Sequence, residues 1–173
     1  MKNYQILAIA LLALSSCGTR TGNNQQAAQP ADSAATTTGT APAEKKLTAD
    51  MMMKDTIKAG DSVLLTFTVK NNTADSLSFC KWHTPFEPPM SKYLDVKDET
   101  GTDADYKGAM AKRIMPPPAS SYIKVAGNDS LSVKADLLKS YNITKPGKYT
   151  VSYNSQEISG LVVSKSLTFV YMK

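Results

Sequence analysis

Apolar and polar residues alternate with a period of two in several separate runs of this chain. Val63, Leu65, Phe67 and Val69 form one side of a run whose other side is Leu64, Thr66, Thr68 and Lys70. Leu77 and Phe79 continue the pattern after the turn-rich Asn71-Asn72-Thr73-Ala74-Asp75. Shorter apolar runs stand at Tyr93-Leu94-Asp95-Val96, Tyr122-Ile123-Lys124-Val125 and Leu131-Ser132-Val133. Tyr149, Val151 and Tyr153, then Leu167, Phe169 and Tyr171, restore strict alternation. Turn signals separate them at Ala59-Gly60-Asp61, Glu99-Thr100-Gly101, Gly127-Asn128-Asp129 and Lys145-Pro146-Gly147. Short alternating runs punctuated in this way predict half-buried strands in an antiparallel sandwich. One helical turn is expected over 135–140. The Pro- and Gly-rich piece 84–118 is expected to be mostly irregular. The alternation slips at Cys80 and Trp82, which predicts a bulge or a strand end there, and Pro85, Pro88 and Pro89 stop further pairing.

The amino-terminal region follows a different pattern. Lys2 precedes nine apolar residues, Ile6 to Leu14, and Leu14-Ser15-Ser16-Cys17 closes the run with small residues. A positive start, a short apolar core and small residues before a cut mark a secretory signal. Nine residues are too few to span a bilayer as a helix, which takes about 20. The cysteine after the cut makes the segment resemble a bacterial lipoprotein signal, rather than a plain secretory signal with a chance cysteine. The resemblance implies cleavage after residue 16, acylation of Cys17 and insertion of its chains into a lipid bilayer. Gly18 in the next position resembles outer-membrane-sorted lipoproteins, and no acidic surface-export run follows. The expected address is therefore the cell envelope, on the outer membrane facing the periplasm. Residues 18–46 contain no Val, Ile, Leu, Phe, Trp or Tyr, so they cannot bury enough apolar area to offset chain entropy. Residues 17–46 are expected to be a lipidated, disordered linker. On random-coil scaling it spans about 30 Å.

Residues 47–173 are the length of one ordinary domain. They carry 16 Lys plus Arg against 13 Asp plus Glu, a mild excess spread along the chain. No basic stripe or nucleic-acid module accompanies it, so no nucleic-acid partner is expected. With Cys17 acylated, Cys80 has no intramolecular partner. A lone thiol in an exported protein is either reactive or a buried apolar filler.

Several motifs follow one another in a distinctive order. Lys81-Trp82-His83-Thr84-Pro85 precedes Tyr93-Leu94-Asp95-Val96, Gly101, Tyr106-Lys107-Gly108 and Lys112-Arg113. Gly127-Asn128-Asp129-Ser130, Ala135-Asp136-Leu137, Tyr141-Asn142-Ile143 and Pro146-Gly147-Lys148-Tyr149-Thr150-Val151 come after. From about Lys58 to Asn154 this order resembles the amino-terminal β-domain of bacterial metallopeptidases related to the deuterolysins (aspzincins). It departs from that pattern at Cys80 and at Pro116-Pro117-Pro118. The resembled enzymes hold zinc with His-Glu-x-x-His and a further Asp. His83 is the only histidine here, so the resemblance implies the fold and a place near proteases or peptides, without catalysis. A looser likeness, through Gly60-Asp61-Ser62 and Asn71-Asn72-Thr73, is to Ig-like bacterial proteinase inhibitors. The expected fold is thus an all-β, Ig-like sandwich.

Candidate chemistry is sparse. Cys80 and His83 are two soft ligands where a structural zinc site takes four, and Met51-Met52-Met53 has no histidine nearby, so no metal and no cofactor are expected. Three residues apart on a strand, Cys80 and His83 would point to opposite faces, which separates a nucleophile from its base. Asp95, Asp98, Glu99, Asp103 and Asp105 read as a solvated loop that lacks the full calcium-loop pattern. Trp82, His83, Pro85 and Phe86 are the candidate binding residues; the competing reading buries Trp82 in the core and uses His83 to fix the loop that follows. Asp-Ser/Thr-apolar strings at Asp32-Ser33-Ala34, Asp55-Thr56-Ile57, Asp61-Ser62-Val63, Asp75-Ser76-Leu77 and Asp129-Ser130-Leu131 resemble an O-glycosylation signal of some Gram-negative bacteria. Turn-to-strand junctions give the same string, which leaves Ser33, in the linker, as the candidate site. The expected function is a monomeric, non-catalytic binding or accessory lipoprotein with a protein or peptide partner. The alternative is a protease inhibitor presenting a Pro-rich loop, Thr84 to Met90 or Met115 to Ala119.

Overall fold

The computed structural model describes residues 47–173. The expected signal peptide 1–16, the expected lipidation site Cys17, the expected linker 17–46 and the candidate Ser33 lie outside the described residues. Nine strands form: β1 (Thr48–Met52), β2 (Thr56–Lys58), β3 (Leu64–Lys70), β4 (Leu77–Cys80), β5 (Leu94–Asp98), β6 (Tyr122–Val125), β7 (Ser130–Asp136), β8 (Gly147–Tyr153) and β9 (Leu167–Met172). They assemble as β1-β3-β7, β2-β9-β8-β5 and a β4-β6 pair. Every pairing is antiparallel except β2 with β9, which is parallel. The fold is all-β and sandwich-like. Among the described residues the helical pieces are two 3₁₀ turns, Ala119–Ser121 and Leu137–Lys139.

Alternation explains the core. Val63, Leu65, Phe67 and Val69 are fully buried, as are Leu94, Val96 and Val151 from the opposing sheet. One cluster gathers Val63, Leu65, Leu94, Val96, Tyr149 and Phe169; a second gathers Ala49, Phe67, Val69, Phe79, Val125 and Leu161. Tyr141 is buried between strands. Its hydroxyl donates to the Leu94 carbonyl at 2.6 Å and accepts from the Leu94 amide at 3.3 Å, so a side chain supplies the ladder bonds at the start of β5.

The slip expected at Cys80 proves to be a strand end: β4 stops there with no bulge. The irregularity lies earlier. β3 pairs with β7 as far as Lys70↔Ser130, and pairing resumes in β4 and β6 at Leu77↔Val125. Residues 71–76 on one side oppose residues 126–129 on the other, so one long ribbon is kinked by surplus residues. Asn71 fills the kink and is 1% exposed. Its Nδ2 donates to the carbonyls of Asp75, Val125 and Ala126, and its Oδ1 accepts from the Thr73 amide and hydroxyl. Gly127 is required here because a Cβ would overlap the Ala74 carbonyl.

The helical turn expected over 135–140 is narrower than that. Residues 135 and 136 belong to β7, and Asp136 caps the 3₁₀ turn by accepting from the Leu138 amide at 3.1 Å. β1 and β2 have no clear alternation in the sequence, masked in β1 by Met51-Met52-Met53 and in β2 by its three-residue length.

Candidate functional site

Beyond Cys80 the chain leaves the sheet and folds into a compact loop against the second core cluster. Thr84 closes its first turn: the hydroxyl donates to the Lys81 carbonyl at 2.6 Å and accepts from the Phe86 amide at 3.1 Å. His83 takes a left-handed backbone, φ 58°, a conformation uncommon outside glycine. Phe86 meets Phe79 and Phe67 edge-on, with ring centroids 5.3 and 6.3 Å apart. Trp82, His83, Thr84 and Pro85 are buried and Phe86 is half-buried. Of the four candidate binding residues, none is exposed, so the surface available to a partner lies elsewhere.

The binding force inside this loop is a buried acid. Glu87 Oε1 accepts from the His83 amide (3.1 Å), the Ser91 hydroxyl (3.0 Å) and Arg113 Nη2 (2.9 Å); Oε2 accepts from the same Nη2 at 2.7 Å. The Arg113 guanidinium also lies 4.7 Å over the Trp82 ring. Its charge is thus held by a carboxylate and by the negative face of an indole. The sequence marks Arg113 only within Lys112-Arg113 and gives no sign of its pairing with Glu87, 26 residues away with no pattern linking them.

This ion pair ties two irregular segments together. The amides of Ala109 and Ala111 donate to the carbonyls of Pro89 and Met90, both at 2.9 Å. Gly108 permits the approach: a Cβ would collide with the Tyr106 phenol and crowd the Pro89 carbonyl. Beyond Arg113 the chain projects outward. Ile114 is 83% exposed, Met115 62% and Met110 69%, with Met90 beside them at 38%. The structure therefore presents an apolar tip on a loop braced by Glu87 and Arg113, with the Arg113 guanidinium seated over the Trp82 ring.

The titratable groups nearby are quiet. Burial lowers the His83 pKa below its usual 6.5, against a smaller upward pull from Glu87. Its Nδ1 is buried without a hydrogen-bond partner; His83 is fixed through its backbone, whose carbonyl accepts from the Tyr153 hydroxyl at 3.0 Å. Burial raises the Cys80 thiol pKa, which keeps it protonated and a poor nucleophile. Burial also pushes the Tyr153 hydroxyl up to about 12.

Other candidates resolve into ordinary structure. Asp98 accepts from the Thr100 hydroxyl and from the Thr100 and Thr102 amides, bonds that lower its pKa and close the turn. Lys92 sits 3.1 Å from Asp95 and 4.0 Å from Asp103. Thr56, Ser62, Ser76 and Ser130 each stand exposed at or just before a strand start, where the turn-to-strand reading puts them. An open trough of about 490 Å³ lies between 153–157 and 161–163. A smaller cleft of about 180 Å³ lies between Pro85, Pro89 and Tyr93 on one side and Lys134 and Lys139 on the other.

No protein-family model matches the chain. An uncharacterized secreted protein of Arthroderma benhamiae is 30% identical over 93 residues, covering 51% of this chain and 47% of that protein. An extracellular protease of Aeromonas hydrophila is 28% identical over 93 residues, covering 54% of this chain and 26% of the protease. The chain thus spans about half the length of the first relative and a quarter of the second. Among solved structures, the Pseudomonas fluorescens alkylpurine DNA glycosylase AlkC, bound to DNA containing an abasic-site analog, aligns with a TM-score of 0.34 at 11% identity. That alignment covers 74% of this chain and 30% of the glycosylase, and it carries no argument about function. What fold and comparisons together establish is an all-β chain similar, over about half its length, to a secreted protein and an extracellular protease.

Proposed function

We propose that the protein is a non-catalytic binding lipoprotein of the cell envelope that engages a protease or its peptide substrates. In this reading Cys17 carries the lipid, residues 17–46 are the tether and residues 47–173 are the binding domain, facing the periplasm. The domain corresponds in this reading to the amino-terminal β-domain of a deuterolysin-like peptidase. The similarity to an extracellular protease supports the association with proteolysis.

The observation that carries the proposal is the braced apolar tip. Burying an exposed Ile or Met side chain is worth roughly 1.5–3 kcal/mol. A loop held in place before binding loses little conformational entropy on docking. Met110, Ile114 and Met115 combine both properties, because Arg113 anchors the segment that carries them.

A second reading makes the same loop an inhibitor that lies in a protease cleft. One observation favours it over the other Pro-rich loop. Thr84, Pro85 and Glu87 are buried, which leaves Ile114 to Ala119 as the segment free to enter a cleft. Purified metallo- and serine proteases, assayed for both binding and residual activity, separate the readings. Binding without inhibition supports the accessory role; inhibition supports the second reading. Neither binding nor inhibition at micromolar protein contradicts both.

A further inference from the structure

The hydrogen-bond parity of β7 exposes a second surface, separate from the apolar tip. The Leu137 amide donates to the Val63 carbonyl and the Asn71 amide to the Asp129 carbonyl. These bonds bracket the β3–β7 ladder and fix its phase. In an antiparallel pair, bonded and non-bonded partners alternate, so Leu65↔Ala135, Phe67↔Val133 and Val69↔Leu131 exchange the bonds. The backbone N–H and C=O of Ser132 and Lys134 then point away from β3. β7 is the last strand of its sheet, and among the described residues nothing pairs with these four groups. At the neighbouring outward position the Ser130 amide donates to the Asp129 carboxylate at 2.7 Å, and the Asp136 carboxylate, which also lines the cleft at the end of β7, accepts from the Val63 and Leu138 amides.

The other edges of the two larger sheets differ. β5 is covered by the Ala104 amide, which donates to the Val96 carbonyl, and by the Lys97↔Asp103 bridge. β2 has three residues. β1 carries no cationic side chain. β7 carries Lys134, runs toward Lys139, and ends at the cleft lined by Pro85, Pro89 and Tyr93. Glu87, at the back of that cleft, is neutralised by Arg113. Among the described residues, neither lysine ammonium has a carboxylate within ion-pair distance. An edge lysine normally repels added strands of like charge.

We propose that the β7 edge takes an extended acidic peptide as an added strand. Its main chain pairs with Ser132 and Lys134, an acidic side chain meets Lys134 and Lys139, and an adjacent apolar side chain enters the cleft. Main-chain bonds supply affinity and the cleft and charges supply selectivity, as in other strand-addition complexes.

The probe is a ten-residue peptide alternating Glu with Val, set against its Lys-for-Glu counterpart, with the full chain observed by amide hydrogen exchange. At saturation with the acidic peptide, exchange at Ser132 and Lys134 slows about tenfold or more, while Val133 and Ala135, already paired to β3, change little. The basic peptide binds at least about tenfold more weakly, a difference of about 1.4 kcal/mol. Lys134→Glu reverses that preference. Ser132→Pro removes an outward N–H that the β3 ladder does not use, a position where proline is tolerated, and it weakens the acidic peptide by about tenfold. Equal affinity for both peptides, or unchanged exchange at Ser132 and Lys134, overturns the proposal. So does slowing of these amides with rising protein concentration alone, which assigns the edge to a second copy of the chain.

Discussion

Glu87 and Arg113 meet at 2.7 Å inside the protein, with side chains 4% and 17% exposed, and they join two irregular segments that no strand ladder links. On one side of the pair the 82–91 loop wraps into the core. On the other the chain turns outward to Ile114 and Met115. The pair converts proline-rich irregular chain into a fixed platform.

Breaking this pair leaves a buried charge without its partner, which typically costs about 3–5 kcal/mol. Glu87→Ala is expected near that range, because it also strands the His83 amide and the Ser91 hydroxyl. Arg113→Ala is expected toward its lower end, since the guanidinium is partly exposed. Urea unfolding checks both. The double variant should cost clearly less than the two single effects added together, and strict additivity contradicts the coupling.

Asn71 and Gly127 hold the kink of the ribbon. Asn71→Ala removes five hydrogen bonds and leaves buried carbonyls unpaired; the expected loss is about 2–3 kcal/mol. Exposed Asn72→Ala should stay within about 0.5 kcal/mol. Gly127→Ala forces backbone against backbone and should destabilise at least as much as the Asn71 variant. Thermal unfolding of the three variants ranks them.

His83 imposes a pH dependence. Burial depresses its folded-state pKa below 6.5, so the unfolded chain takes up its proton first as the pH falls. The stability held by neutral His83 is intact above about pH 6.5 and declines as the pH drops through the lower folded value. Asn accepts the left-handed backbone better than most residues, so His83→Asn should fold and show a shallower decline between pH 7 and 5. An unchanged slope contradicts the assignment.

Cys80 is buried and its thiol pKa is raised by that burial. Iodoacetamide at pH 8 should leave it largely unmodified in the folded protein and modify it readily in urea. Rapid labelling of the native state would show a reactive thiol.

The sandwich strands were legible because period-two alternation survives wherever one face is buried; β3, β8 and β9 fall where the pattern of Val63–Val69, Tyr149–Tyr153 and Leu167–Tyr171 puts them. β1 escaped because three consecutive methionines mask alternation. The kink was read only as a turn, since nothing local tells a hairpin turn from a bulge whose partner lies 55 residues away. The 82–86 cluster drew notice for its aromatic and imidazole groups. Those groups pack inward, and the exposed tip they support consists of Ile and Met next to prolines, residue types that carry no chemical motif. Long-range pairs such as Glu87–Arg113 leave no periodic trace.

The braced tip is expected to recruit a proteolytic partner. Brief cross-linking in native envelopes, followed by recovery and mass spectrometry, tests it when the wild-type chain is run beside Ile114→Asp/Met115→Asp. These exposed positions should change stability by no more than about 0.5 kcal/mol each, so the variant reports on binding. The account predicts a protease or peptide-handling protein enriched with the wild type and lost with the variant. The same proteins recovered equally by both chains would contradict it.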